Sequence, residues 1–172
     1  MSGPPPTKYR YHRRLPHLQR DDSDLFVTFR LNGPFVLPEM ARDLVLEHIL
    51  REGGVARAPS PAGLIPRIRL HAAVVMPNHV HLIFSPRRDQ DGGPYPVVEV
   101  LQCLKGATAH RINKLLGTAG PVWQEESFDH VLRFDESLAE KCEYVRQNPV
   151  RAGLVERPED YRWLWTETRV GV

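Results

Sequence analysis

Within the stretch MPNHVHLIF, two histidines stand two residues apart, His79 and His81. On an extended chain side chains alternate between faces. Both imidazoles therefore leave one face, while Val80, Leu82 and Phe84 leave the other, toward a core. Two neutral ring nitrogens at this spacing can grip one divalent ion; the same pattern also arises where two polar residues line the wet face of a sheet. A second pair lies in EYVRQNP, where Tyr144 and Asn148 are four residues apart and share one helical face. Leu138, Cys142 and Val145 mark a different, apolar face of the same segment. A tyrosine so placed is either a rim residue or a nucleophile. A third set, Lys105, Arg111 and Lys114, falls off the apolar stripe of a long helical segment, as phosphate contacts or as a solvated face. Trp123, Gln124 and Asp129 follow in a polar-aromatic segment with no periodicity of its own.

The elements that must carry these residues are read from periodicity. Residues 25–31 (LFVTFRL) are rich in β-branched and aromatic types and predict a strand. Residues 38–50 predict a helix with Met40, Leu44 and Ile49 on its apolar stripe, stopped by Gly53 and Gly54. A Gly-, Pro- and Ala-rich loop covers 53–66. Residues 68–75 predict a second strand, broken by Pro77 and Asn78, and 79–84 its hairpin partner. After a second loop at 86–96, apolar positions 97, 100, 101, 104, 108, 112, 115 and 116 follow helical spacing. A short extended piece is expected over 130–134, then a helix over 136–148 halted by Pro149. Trp163 and Trp165 in the tail are expected to pack on the body. The order strand, helix, strand, strand, helix, strand, helix suits a ferredoxin-like α+β fold, an antiparallel sheet with helices packed mainly on one face.

The chain has 172 residues, 41% of them hydrophobic, as in an ordinary globular protein. We expect a basic N-terminal arm over 1–20 and one domain over 21–172. The net charge is only +2, but it is unevenly spread. Before Asp21 there is no acidic residue, while Lys8, Arg10, Arg13, Arg14 and Arg20 are basic, so this arm can lie along a phosphate backbone. No apolar run approaches the ~20 residues that span a bilayer, and no apolar signal segment opens the chain. The expected location is the cytoplasm, at the nucleoid. Cys103 and Cys142 match no zinc spacing and read as two reduced thiols.

Taken together and in order, these motifs resemble the single-tyrosine HUH transposases of insertion sequences, and among them the REP-associated tyrosine transposases. The resemblance runs through PHLQ and FVTFRL (16–31), VMPNHVHLIFSP (75–86), LKGATAHRIN (104–113), GPVWQEESFDHVLR (120–133) and EYVRQNPVRAGLVERPEDYRW (143–163). It implies that His79 and His81 form the HUH metal pair, that Tyr144 is the nucleophile and that Asn148 is the third metal ligand. It further implies magnesium or manganese as cofactor, and a partner that is single-stranded DNA bearing an imperfect palindrome folded as a hairpin. Cleavage would leave a 5′-phosphotyrosine link and a free 3′-hydroxyl, with the protein acting as monomer or homodimer. Arg13, Arg14, Lys105, Arg111 and Lys114 are the candidate nucleic-acid contacts.

The residue types agree with that chemistry. A metal on the non-bridging oxygens neutralises charge that develops on a phosphodiester. A phenol must lose its proton on attack, and no residue in the sequence identifies itself as the base. Alternatives from other classes fit less well. A domesticated hairpin-DNA binding protein without transposition would have no use for His79, His81, Tyr144 and Asn148 together. A metal-independent phosphoesterase needs a second H-x-[ST/H] motif, which none of His12, His17, His48, His71, His110 or His130 begins. A ferredoxin-like RNA-binding module wants aromatics where this chain puts histidines.

Overall fold

A computed structural model describes residues 23–55, 65–132 and 137–167. The arm carrying Arg13 and Arg14 lies outside them. Among the described residues five strands form one antiparallel sheet: β1 (Leu25–Arg30), β2 (Ile68–Val75), β3 (His79–Pro86), β4 (Phe128–Val131) and β5 (Leu164–Thr166), in the order β4-β1-β3-β2-β5. The first four make the ferredoxin-like arrangement, and β5 adds an edge beside β2. The helices are α1 (Glu39–Glu52), α2 (Val97–Leu116), α3 (Leu138–Arg146) and the four-residue α4 (Asn148–Arg151).

Strand register divides the sheet into two faces. Leu25, Val27 and Phe29 of β1 stand opposite Phe84, Leu82 and Val80 of β3, and none of the six is more than 3% exposed. This face carries the long helices. A side chain on Gly53, just past α1, would come within 2.8 Å of Leu70 Cβ, so glycine there lets the helix end close on β2. Trp123 meets Phe29 edge-on at 4.8 Å and donates its indole N–H to Thr108 Oγ1 of α2 at 2.9 Å. The polar-aromatic segment without a pattern of its own is thus a core anchor. It also carries β1 onward, with Gln124 N donating to the Arg30 carbonyl at 2.9 Å.

The opposite face holds Phe26, Thr28 and Arg30 of β1, paired with Ile83, His81 and His79 of β3. It is not a wet face. The shorter helix α3 lies across it, with Val145 fully buried and Leu138 and Cys142 packed against the core. Ile83 is fully buried and His81 is 7% exposed. The two long helices thus share one face and α3 covers the other.

Three boundaries differ from the sequence expectation. The piece expected at 130–134 is β4 at Phe128–Val131. The helix expected over 136–148 starts at Leu138, because Ser137 caps it by accepting from Glu140 N at 3.3 Å. It ends at Arg146, and Pro149 does not halt the chain. The proline sits in the first turn of α4, where its missing N–H costs nothing. The tail strand β5 has no counterpart in the sequence expectation. It is held by Tyr161 Oη donating to the Val75 carbonyl at 2.9 Å and by Trp163 Nε1 donating to Asp43 Oδ1 at 2.8 Å. Trp163 is buried and Trp165 packs against the core, as expected for the tail.

Candidate functional site

β3 begins at His79, immediately after the Pro77–Asn78 turn, so both histidines sit at one end of a central strand. Their Nε2 atoms converge to 3.1 Å. The other ring nitrogen of each is held from behind. His79 Nδ1 donates to Asn78 Oδ1 at 2.6 Å, and His81 Nδ1 bonds Thr28 Oγ1 at 2.7 Å, the latter in a buried contact. Metal-binding histidines are typically oriented this way, through a hydrogen bond on the nitrogen that does not ligate.

Electrostatics point in the same direction. Burial, helped by the Arg30 cation, pushes His79 down to about 4. Burial, then His79, Arg30 and Arg151, push His81 down to about 3. Both imidazoles are therefore uncharged near neutral pH, with lone pairs able to ligate. Two nitrogens on adjacent corners of an octahedral ion with bonds near ~2.1 Å stand about 3 Å apart. The 3.1 Å between the Nε2 atoms fits that bite. Among the described residues no group of three His, Cys, Asp or Glu could hold a metal ion, so a further ligand drawn from them would be of another type.

Tyr144 on α3 reaches the same place from above the sheet. Its ring meets His81 at 6.2 Å and Phe26 at 5.9 Å between centroids, both edge-on, and it is 44% exposed. Asn148 begins α4, and its Nδ2 donates to the Tyr144 carbonyl at 3.2 Å. That bond uses the amide nitrogen and leaves Oδ1 as the atom for any ligand role. The structure thus brings His79, His81 and the Tyr144 ring into one neighbourhood, and Asn148 is tied to them only through the Tyr144 backbone.

The three helical cations are not in it. Lys105 donates to the Glu125 carbonyl at 2.8 Å and to Ser127 Oγ at 3.1 Å, tying α2 to the segment before β4. Arg111 pairs with Glu47 of α1 at 3.5 Å. With exposed Lys114, they belong to the helix layer on the far side of the sheet. The cations beside the histidines and the tyrosine are Arg30, opposite His79 in the β1–β3 register, and Arg151, whose guanidinium lies 4.1 Å from the Tyr144 ring centroid. Neither is singled out by the sequence. Strand parity in LFVTFRL already puts Phe26, Thr28 and Arg30 on one face, but only the register shows that this face is the histidine face.

Beneath the start of α3, His71 joins Ser85 Oγ through Nε2 at 2.7 Å and Glu167 Oε2 through Nδ1 at 3.1 Å, while Ser85 donates to Asp24 at 2.6 Å. This part-buried chain ties the residue after β5 to β2, β3 and the start of β1. Neither Cys103 nor Cys142 is in a disulfide. No helix among the described residues is long and apolar enough to cross a membrane.

No family model matches the chain. A Haemophilus influenzae protein named for the REP-associated tyrosine transposases is 25% identical over 95 residues, covering 52% of this chain and 54% of that protein. The chain spans about half the length of that curated relative. A solved structure of a REP-associated tyrosine transposase bound to a REP hairpin superposes with a TM-score of 0.58 at 18% identity, over 92% of this chain and 81% of the other. At that identity the likeness is one of fold. The motifs and the curated relative point to the same similarity, to the REP-associated tyrosine transposases, and the solved structure matches in fold.

Proposed function

We propose that this protein cuts and rejoins single-stranded DNA beside hairpin-forming palindromes, in the manner that its resemblance to REP-associated tyrosine transposases implies. Tyr144 is the nucleophile, and His79 and His81 hold a magnesium or manganese ion. The single observation that carries the reading is the convergence of two uncharged Nε2 atoms at 3.1 Å beneath the Tyr144 ring, 6.2 Å from that of His81. Asn148 is the third protein ligand through Oδ1, with its Nδ2 kept on the Tyr144 carbonyl.

When bound, the ion would neutralise charge on the non-bridging oxygens of the scissile phosphate. The rest falls to the chain's own residues. Thr28 and Asn78 fix the imidazole planes. The bond from the Tyr144 oxygen to phosphorus forms as the bond from phosphorus to the departing 3′-oxygen breaks. The phenolic proton passes to solvent and the departing oxygen takes one up. Resealing runs the same exchange backward, so no nucleotide cofactor is needed. Arg30, exposed beside His79, is placed to receive a flanking phosphate.

The test is a denaturing gel of the protein with hairpin-bearing single-stranded DNA and manganese. Wild type yields a covalent adduct. Tyr144→Phe yields none yet binds the hairpin as well, since it loses one oxygen from a half-exposed ring. Cutting by the Phe variant would mean that water or another residue attacks, and the assignment of Tyr144 would fall.

A further inference from the structure

Attack requires the Tyr144 oxygen to approach one phosphorus along one line, yet the sheet does little to hold the ring. Its two contacts below, with Phe26 and His81, are edge-on at 5.9 and 6.2 Å. The third contact is of another kind. Arg151 lays its guanidinium over the ring, with Cζ 4.1 Å from the centroid. The same guanidinium donates through Nη2 to the Tyr144 carbonyl at 2.5 Å. One side chain thus grips the backbone and the ring of the same residue.

The chain geometry makes this reach available. Seven residues are two helical turns, which returns a side chain to the same face. That holds here because the backbone stays helical across Gln147 and through Pro149, with Arg151 N donating to Gln147 O at 2.9 Å. Charge balance also sets Arg151 apart. Its neighbour Arg146 is paired with Glu143 and Glu159. Glu143 feels the charge of Arg151, but no carboxylate among the described residues lies within ion-pair distance of it, so its fork is left to the tyrosine.

We propose that Arg151 is the positioning residue of Tyr144, a clamp that fixes the ring from the solvent side and sets its line of approach. This rests on the proposed role of Tyr144 as nucleophile. A planar guanidinium suits the task because it stacks and donates at once, which a lysine ammonium does not.

Two measurements on the full chain test the clamp. The first is free of activity. With labelled arginine and tyrosine, NMR shows the Arg151 δ protons shifted upfield and in contact with the Tyr144 ring, and both effects vanish in Tyr144→Leu. The second is single-turnover adduct formation at saturating hairpin DNA with manganese. Arg151→Ala slows it about a hundredfold, the cost of a misplaced reacting group, while hairpin affinity stays within about twofold, so the loss lies in the turnover step. Arg151→Lys is nearly as slow, and millimolar guanidinium partly restores the Ala variant without affecting wild type. The proposal is overturned if the NMR contact is missing, if Arg151→Ala forms adduct at the wild-type rate, or if affinity falls as far as rate. A wild-type protein that forms no adduct overturns the reading of the site instead, and the NMR arm still decides whether Arg151 holds the ring.

Discussion

Thr28 shows how much of a candidate metal site can rest on a residue that would never touch the ion. Its hydroxyl lies 2.7 Å from His81 Nδ1 in a buried contact. Because His79 must donate from Nδ1 to the side-chain carbonyl oxygen of Asn78, its Nε2 carries a lone pair. Without metal, the 3.1 Å contact is satisfied if His81 donates from Nε2 and Thr28 donates to Nδ1. With metal, both Nε2 atoms must be lone pairs, so His81 moves its proton to Nδ1 and Thr28 becomes the acceptor. A hydroxyl can serve both states, since it donates and accepts. Thr28→Val keeps the shape and removes that partner. We expect manganese affinity, read by calorimetric titration, to fall about 10- to 100-fold, at a stability cost of about 1–3 kcal/mol for the orphaned nitrogen. Unchanged manganese affinity in a folded Thr28→Val protein would show that the hydroxyl does not orient His81.

At the scale of elements, the join between α3 and α4 decides what Asn148 does. A helix running unbroken to Asn148 would place that residue in its last turn, as a cap or a ligand. Instead it opens α4, and its Nδ2 returns to the Tyr144 carbonyl. The nitrogen end of the amide is thus taken by the Tyr144 carbonyl, and the oxygen end is the one left for the proposed ligand role. Asn148→Ala removes both and Asn148→Asp removes only the donor. If Oδ1 ligates, Ala needs more manganese for half-maximal cutting and regains activity as the ion is raised, while Asp keeps near-normal manganese dependence. If the residue only caps, both variants lower the melting temperature by a few degrees, about 1 kcal/mol, and metal dependence does not move. The same join shows where the sequence is legible. The strand bearing the histidines, the long helix α2 and the tyrosine on its helix follow from period and residue type, as local signals do. Whether Pro149 stops a helix or opens the next turn depends on which neighbours take the carbonyls at the end of α3, here the side chains of Asn148 and Arg151 on the Tyr144 carbonyl. The three residues of β5 carry no pattern of their own, and pair with β2 only because Tyr161 and Trp163 are anchored to β2 and α1 from far along the chain. Register is likewise non-local, which is why Arg30 and Thr28 could not be joined to the histidines from sequence.

At the scale of the whole molecule, charge pairing identifies described cations that hold the fold, and the proposed DNA contact must use others. A net charge of +2 supplies little general attraction for a polyanion, so affinity must come from local groups. On the helix layer, Lys105 bonds Glu125 and Ser127, and Arg111 faces Glu47. Arg111 also has a buried Nη1 with no hydrogen-bond partner, so it sits in the α1–α2 interface rather than above it. Arg111→Ala should therefore lower the melting temperature and leave hairpin affinity unchanged. The N-terminal segment is the counterpart, with five basic residues ahead of the first acidic one. Reversing two of them, Arg13→Glu with Arg14→Glu, should leave the melting temperature alone, weaken hairpin binding and flatten its salt dependence. Each phosphate that the protein no longer neutralises lowers the slope of log affinity against log salt by about 0.7–0.9, so giving up two phosphates should lower it by about 1.4–1.8. Titrations of labelled hairpin DNA across a salt series, run beside thermal melts, read both quantities. If the double reversal leaves the slope intact while Arg111→Ala reduces it, the arm does not touch phosphates and the DNA runs over the helix layer, on the far side of the sheet from His79 and His81.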